Sequence, residues 1–275
     1  MTQVQSTRTS GTLLTNGAKI AYEVEGNGEA VVLIHAGVAS MRMWDHQVAG
    51  LRDRHRVIRY DCRGFGLTET EKVPFSNRDD IAALLNHLDE PSAHIVGLSR
   101  GGVIGLDFAI ERPERVRSLT VAAGGISGYE SPASSPDAFE EAERAEERGD
   151  WDTLAEWETR YWVDGPGQSP DRVPLALRAQ VHEWILSNYR AEKEYGEPQP
   201  LQPPAVGRLA ELKSPLLVMV GTLDDPGTVE SCEHLAAGVP GARLEIFNGA
   251  AHMLNLEQPE RFTNLLRDFL GPATS

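Results

Sequence analysis

The chain is poor in cysteine and has no long apolar segment. Cys62 and Cys232 are its cysteines, which are too few for a disulfide framework and lack zinc-site spacing, so we expect two reduced structural thiols. No apolar run approaches the roughly 18 residues of a membrane-spanning helix. Residues 1–10 are polar and contain no apolar signal-peptide core. These absences predict a cytoplasmic protein that does not enter the membrane.

Basic residues are also scarce, with 26 Lys and Arg against 41 Asp and Glu and a formal net charge of −15. This charge repels nucleic acid backbones and anionic lipid surfaces, so neither is an expected partner. The acidity is concentrated in residues 130–164, which suggests a separate, solvated unit. The expected partner is a small molecule, and no oligomeric state is predicted.

Short apolar runs bounded by turn residues are typical of buried strands. They are Val31–Ile34, Val57–Tyr60, His94–Gly97, Val116–Ala122, Leu216–Val220 and Leu244–Phe247. Stretches with helical spacing lie between most of them, namely Arg78–Leu88, Gly101–Glu111, Glu230–Ala237 and Pro259–Phe269. The alternation predicts an α/β fold with helices on both faces of a mostly parallel sheet. Thr12–Leu14 and Ala18–Val24, joined through Asn16-Gly17, predict an antiparallel hairpin that completes eight strands.

Residues 125–204 interrupt this alternation. They contain no convincing buried strand, and their helical runs are Asp137–Arg148, Asp152–Tyr161 and Val173–Arg190. Gly124-Gly125 precedes the segment and a proline-rich stretch ends it, both of which are plausible linkers. We therefore predict a core formed by residues 1–124 and 205–275, with residues 125–204 inserted as a helical cap.

The strongest local motif is Gly97-Leu98-Ser99-Arg100-Gly101, a G-x-S-x-G between a predicted strand and a predicted helix. A serine in such a sharp turn needs small neighbours, because side chains at Gly97 or Gly101 would crowd the backbone. Its hydroxyl barely ionises at neutral pH, so it becomes a nucleophile only if a base removes the proton. We predict that Ser99 is a nucleophile; the alternative is an ordinary serine at a helix N-cap.

The loop His35-Ala36-Gly37-Val38 directly follows the predicted strand Val31–Ile34. Together with the serine motif, it resembles the α/β-hydrolase superfamily. The resemblance implies an oxyanion hole formed by the backbone N–H groups of Gly37 and Arg100. Because Ala36 replaces the usual first glycine, Val38 is an alternative donor to Gly37.

Two further motifs extend the resemblance along the chain. Residues 61–66, Asp-Cys-Arg-Gly-Phe-Gly, are similar to the family's D-x-R-G-x-G loop. Residues 221–224, Gly-Thr-Leu-Asp, match its G-x-x-D pattern after a strand and imply that Asp224 is the catalytic acid, with Asp225 as the competitor. His252 lies in the loop after the strand Leu244–Phe247, where the resemblance implies the base. The order Ser99, Asp224, His252 is the order that this fold uses.

The resemblance implies a serine hydrolase that cleaves a small carboxylic ester or lactone through an acyl-enzyme, similar to esterases and 3-oxoadipate enol-lactonases. A serine at position 99 argues against haloalkane dehalogenases and epoxide hydrolases, which use aspartate there. A C–C bond hydrolase or a cofactor-free perhydrolase with the same triad remains an alternative, as does a non-catalytic ligand-binding protein. No metal-ligand spacing, phosphate-binding loop or dinucleotide fingerprint is present, so we expect no cofactor and no metal.

Candidate substrate-binding residues are Val38 in the oxyanion loop, Met253 beside the histidine, and Trp157 and Trp162 in the insert. Tryptophans in a cap either pack it onto the core or line an apolar pocket. The sequence leaves both roles open, and it does not identify the substrate.

Overall fold

The computed structural model describes residues 8–133 and 136–272. Its strands are β1 (Thr9–Thr15), β2 (Ala18–Glu25), β3 (Glu29–Ile34), β4 (His55–Tyr60), β5 (Glu69–Thr70), β6 (Pro74–Phe75), β7 (Ala93–Leu98), β8 (Val116–Ala122), β9 (Glu197–Pro198), β10 (Leu216–Gly221) and β11 (Arg243–Phe247). Its α-helices are α1 (Asp45–Leu51), α2 (Asn77–His87), α3 (Arg100–Glu111), α4 (Glu140–Glu147), α5 (Trp151–Glu158), α6 (Leu175–Arg190), α7 (Pro226–Gly238), α8 (Leu254–Glu257) and α9 (Pro259–Leu270).

The main sheet follows the order β1-β2-β4-β3-β7-β8-β10-β11, with the short β5 beside β2. Neighbours from β4 through β11 run parallel, whereas the pairs that involve β2 are antiparallel. The predicted α/β fold with a mostly parallel sheet is confirmed, but the sheet has nine strands rather than the predicted eight because β5 joins it. The sequence did not predict β5, because the polar residues Glu69 and Thr70 form no apolar run.

The sheet is buried on both faces. In β3, Val32 and Ile34 pack into one core cluster with residues of α2, α3 and α7. Val31 and Leu33 pack into a second cluster with residues of α1 and α9. Successive side chains of a strand point to opposite faces, so a continuous apolar run is required wherever helices cover both sides.

Helices α4, α5 and α6 occupy the chain between β8 and β10, close to the helical runs predicted there. The second run ends differently from the prediction, because Thr159–Asp164 forms a π-helical turn directly after α5. Beyond α6, the exposed β9 pairs with β6, which ties the returning chain to the segment before α2. The inserted helices are thus anchored at a core loop.

Candidate active site

The loops that carry the predicted site residues meet at one edge of the sheet. Gly37 follows β3, Ser99 follows β7, Asp224 follows β10 and His252 follows β11. These four strands are parallel, so their carboxyl ends lie at the same edge, which is where α/β sheets bind ligands. The chain therefore brings together segments that lie far apart in the sequence.

Ser99 occupies the turn between β7 and α3 in a left-handed conformation, with φ of 56°. Its N–H donates to the Ala122 carbonyl of β8 at 2.8 Å, and its own carbonyl accepts from the N–H of Gly102 at 2.8 Å. A non-glycine residue held in this region stores on the order of 1–3 kcal/mol of strain, and such residues cluster at functional sites. The turn leaves the serine partly exposed.

Glycines beside the serine are required by close backbone contacts. A Cβ on Gly97 would lie 2.0 Å from the Gly101 carbonyl oxygen. A Cβ on Gly101 would lie 2.2 Å from the carbonyl oxygen of Ile34, the last residue of β3. Because both neighbours are backbone atoms, neither clash is relieved by rotating a side chain. The crowding inferred from the motif is thus visible at both positions.

We expect Gly101→Ala to lower the free energy of unfolding by about 1–3 kcal/mol or more, because overpacking a dense interior usually costs this amount. Urea titration followed by tryptophan fluorescence measures this change. Gly207→Ala is the matched control, because a Cβ there meets nothing within 4 Å. Its effect is expected to stay within about 0.5 kcal/mol. Equal shifts for the two variants would contradict the crowding argument.

Asp224 and His252 contact each other directly. Nδ1 of His252 lies 2.9 Å from Oδ1 and 3.0 Å from Oδ2 of Asp224, and both side chains are buried. Their loops are joined by the N–H of Leu223, which donates to the Ala250 carbonyl at 2.9 Å. With Nδ1 turned toward the carboxylate, the other ring nitrogen is available to a substrate or a hydroxyl.

Asp225 has different neighbours from Asp224. Its Oδ1 accepts from the Tyr161 hydroxyl at 2.6 Å, and its Oδ2 accepts from the Thr228 N–H at 2.9 Å. The second bond caps the N-terminus of α7. Of the two adjacent carboxylates, it is therefore Asp224 that the structure brings to the histidine.

The π-helical turn Thr159–Asp164 packs over this pair. The ring centroids of Trp162 and His252 are 4.4 Å apart. Arg172 joins the turn to the histidine loop, because its guanidinium donates to the carbonyls of Val163 and Gly249. Single-turn π segments are often found at functional sites.

The candidate substrate-binding residues occupy different surroundings. Trp157 is buried in a small cluster between α4 and α5 and stacks on Tyr161. Met253 is fully buried, and the side chain of Val38 also lies in the core. Of the four candidates, Trp162 contacts a predicted triad residue.

The loop predicted to form the oxyanion hole is supported from both sides. His35 Nε2 accepts from the Cys62 N–H at 2.9 Å, so the loop is fixed to the D-x-R-G-x-G segment. From α6, the Asn188 side chain donates to the Ala39 carbonyl at 3.2 Å. Gly37 lines a small cavity of about 60 Å³, and Arg100 opens α3, where the first backbone N–H groups lack helical partners.

Sequence reasoning missed Tyr161 and Arg172, which connect the inserted helices to the loops that carry Asp225 and His252. No local pattern distinguishes either residue from other polar side chains of a solvated helix. Within residues 8–133 and 136–272, no group of three or more His, Cys, Asp or Glu could hold a metal ion. In the same residues, no helix combines the length and hydropathy needed to cross a membrane.

Comparisons with known proteins extend over nearly the whole chain. The sequence model of the alpha/beta hydrolase family matches residues 31–265. The chain is 27% identical to 3-oxoadipate enol-lactonase 1 from Acinetobacter baylyi, over 94% of this chain and 96% of that protein. It is 26% identical to 2-hydroxy-6-oxo-6-phenylhexa-2,4-dienoate hydrolase from Comamonas testosteroni, over 91% of each. A thermophilic esterase structure from Thermogutta terrifontis matches with a TM-score of 0.75 and 27% identity, covering 96% of this chain and 98% of that one.

Proposed function

Because this chain belongs to the alpha/beta hydrolase family, we propose that it is a serine hydrolase that cleaves a small carboxylic ester or lactone through an acyl-enzyme. The observation that carries the proposal is the hydrogen bond between His252 and Asp224, at the sheet edge where Ser99 lies in a left-handed turn. The enol-lactonase relative and the esterase structure support substrates of this class.

In the proposed mechanism, Nε2 of His252 takes the Ser99 proton as the hydroxyl oxygen attacks the acyl carbon. Asp224 stays ionised: it accepts a hydrogen bond from the Nδ1–H of His252, fixes the tautomer and stabilises the imidazolium. His252 then returns the proton to the leaving alcohol oxygen. Water attacks the acyl-enzyme by the same steps in reverse, which releases the acid and restores the serine.

The tetrahedral oxyanion is assigned to backbone N–H groups. Arg100 supplies one donor from the start of α3, and Gly37 or Val38 supplies the other. Losing one donor of this kind typically costs about 2.7–4 kcal/mol of transition-state stabilisation. Gly37 is favoured because it lines the cavity, whereas the Val38 side chain packs into the core.

Residues 125–204 are proposed to act as a cap over a core of residues 1–124 and 205–275. The contacts that support this role are polar and converge on the site loops: Tyr161 on Asp225, Arg172 on the Gly249 carbonyl, and Asn188 on the Ala39 carbonyl. The stacked Trp162 would then form part of the wall that faces the substrate.

A fluorophosphonate probe tests the nucleophile directly. We expect one covalent adduct per chain, on Ser99 by peptide mass spectrometry, since the probe reacts with serines that a neighbouring base activates. Ser99→Ala and the heat-denatured protein serve as controls and should give no adduct. Absence of labelling on the folded chain would overturn the proposal and favour a non-catalytic ligand-binding protein.

A C–C bond hydrolase is the second candidate, because the Comamonas testosteroni relative is named as a hydrolase of a dienoate. A substrate panel separates the two reactions: p-nitrophenyl esters of graded length, a lactone and a vinylogous diketone. Turnover of the diketone well above that of every ester and lactone would favour C–C cleavage. The opposite order would support the ester or lactone assignment.

A further inference from the structure

Arg100 carries a positive charge that has no ion-pair partner in the part of the chain that the structure describes. Its Nη1 is buried and donates no hydrogen bond to any described residue. Burying an unpaired charged group costs free energy, and proteins normally avoid it by pairing the group. The backbone N–H of Arg100 serves the proposed oxyanion hole, but any residue would supply that group. The side chain therefore calls for a separate explanation.

Buried arginines elsewhere in the chain have carboxylate partners. Arg59 pairs with Glu23 at 2.7 Å. Arg63 forms a two-pronged contact with Asp80, at 2.8 and 2.7 Å. Arg100 is half-buried and, unlike these two arginines, has no carboxylate partner among the described residues, although it lies beside the proposed nucleophile.

Aromatic rings hold the Arg100 guanidinium in place without neutralising it. Its central carbon lies 4.8 Å from the ring centroid of Phe65 and 6.0 Å from that of Tyr195. Both rings line the small cavity that Gly37 also lines.

Glu158 lines the same small cavity, and burial raises the pKa of this carboxyl to about 7. Below that pH the carboxyl is mostly uncharged and does not repel an anion.

Arg100 itself lines a second, larger cavity of about 580 Å³. Its wall includes the apolar side chains of Val103 and Ile104 from α3 and of Pro198 and Pro200 from the returning chain. The combination of an apolar wall with one polar anchor is typical of sites for small organic ligands.

Other charged groups at the larger cavity are already engaged. Arg78 Nε lies 3.1 Å from Glu111 Oε1. Asp107 accepts a hydrogen bond from the Ser127 hydroxyl at 2.6 Å. The guanidinium of Arg100 is thus the charge that remains available to a ligand.

We propose that Arg100 binds a carboxylate carried by the substrate, so that the preferred substrates are anionic esters or lactones with an apolar body. The inference rests on the proposed acyl-enzyme, because Arg100 directly follows Ser99. Its Cδ lies 3.9 Å from the position of a Cβ on Gly37, so the side chain passes beside the proposed oxyanion hole. Guanidinium binds carboxylate with two parallel hydrogen bonds, which adds orientation to affinity.

The test compares matched esters that differ in one charge. The mono-p-nitrophenyl esters of glutarate, adipate and pimelate carry a free carboxylate, and their methyl esters are neutral equivalents. We expect the wild type to prefer at least one anionic ester over its neutral partner in kcat/KM. Arg100→Gln should lower kcat/KM for that anionic ester about 10- to 100-fold more than it lowers kcat/KM for the neutral partner, the range of a charged hydrogen bond. Arg100→Lys, which keeps the charge, should recover part of the loss.

The hydrolysis rate measured with Ser99→Ala is subtracted as the background for each ester. Equal losses for both esters in Arg100→Gln, or a wild-type preference for every neutral ester, would overturn the inference. If fluorophosphonate labels Ser99 in either case, the proposed hydrolase function stands while the role of Arg100 fails. Should Arg100→Gln not fold, inhibition of the wild type decides: pentanoate should compete with a neutral ester more strongly than pentanamide, and equal inhibition would refute the role.

Discussion

His252→Ala is expected to lower kcat for p-nitrophenyl acetate by about 10⁶-fold, because in the proposed mechanism no other group removes the Ser99 proton during attack. Substrate binding should change little, so the loss should appear in kcat rather than KM. Stopped assays at high enzyme concentration measure the residual rate. Fluorophosphonate labelling of Ser99 should fall in parallel, since it depends on the same activated hydroxyl.

His46→Ala is the matched control for this experiment. His46 lies on α1, where Nδ1 contacts the Thr263 hydroxyl at 3.2 Å and Nε2 lies 3.7 Å from Glu260. It is exposed and contacts α9 rather than Ser99, Asp224 or His252. Its removal should leave kcat within about twofold, as expected for a surface change. Near-UV circular dichroism should confirm that His252→Ala retains its tertiary structure. Trp162, which packs on His252, contributes to this signal. A kcat within tenfold of wild type would exclude His252 as the base.

The strands of the sheet could be predicted from the sequence because burial on both faces requires continuous apolar runs. Runs such as the one in β3 are continuously apolar, and each predicted parallel strand corresponds to an observed one within a few residues at its ends. The hairpin was predicted too short, because β1 continues to Thr9 through polar and glycine residues. Edge strands need only one buried face, so their outer residues carry no apolar signal.

The inserted helices were harder to interpret because their function depends on contacts distant in sequence. Trp157 lies in the predicted run Asp152–Tyr161 and Trp162 directly follows it, yet the first packs within the insert and the second contacts His252. The difference arises at the π-helical turn, which has no local sequence signature and coincides with contacts such as that between Tyr161 and Asp225. Helical periodicity alone could not distinguish the two tryptophans.

The adjacent carboxylates Asp224 and Asp225 set a similar limit. Both follow the same strand in a turn, so position and residue type left the acid unresolved. Their side chains diverge in the structure: one reaches His252, whereas the other reaches Tyr161 and the N-terminus of α7. The directions of the two side chains depend on the loops that pack against each of them, and a single sequence does not show those contacts.

Asp224→Asn is expected to lower kcat for p-nitrophenyl acetate by about 10⁴-fold while the fold is preserved. An asparagine amide can donate to Nδ1 and so favour the tautomer that carries its proton on Nε2, which cannot accept the Ser99 proton. It also removes the negative charge that stabilises the imidazolium formed in the transition state. Steady-state kinetics measure the loss, and thermal unfolding checks that the variant is folded.

Asp225→Asn is the matched control that distinguishes the roles of the two carboxylates. Its side-chain oxygen can still accept from Tyr161 or from the Thr228 N–H, so we expect a modest loss of stability, typically about 0.5–2 kcal/mol for a weakened cap, and a change in kcat of less than about tenfold. The two substitutions are chemically identical and adjacent, so a difference in kcat reports the contact with His252 rather than a general loss of charge. If Asp225→Asn caused the larger loss, the acid would be Asp225, and the observed hydrogen bond between Asp224 and His252 would not describe the working enzyme.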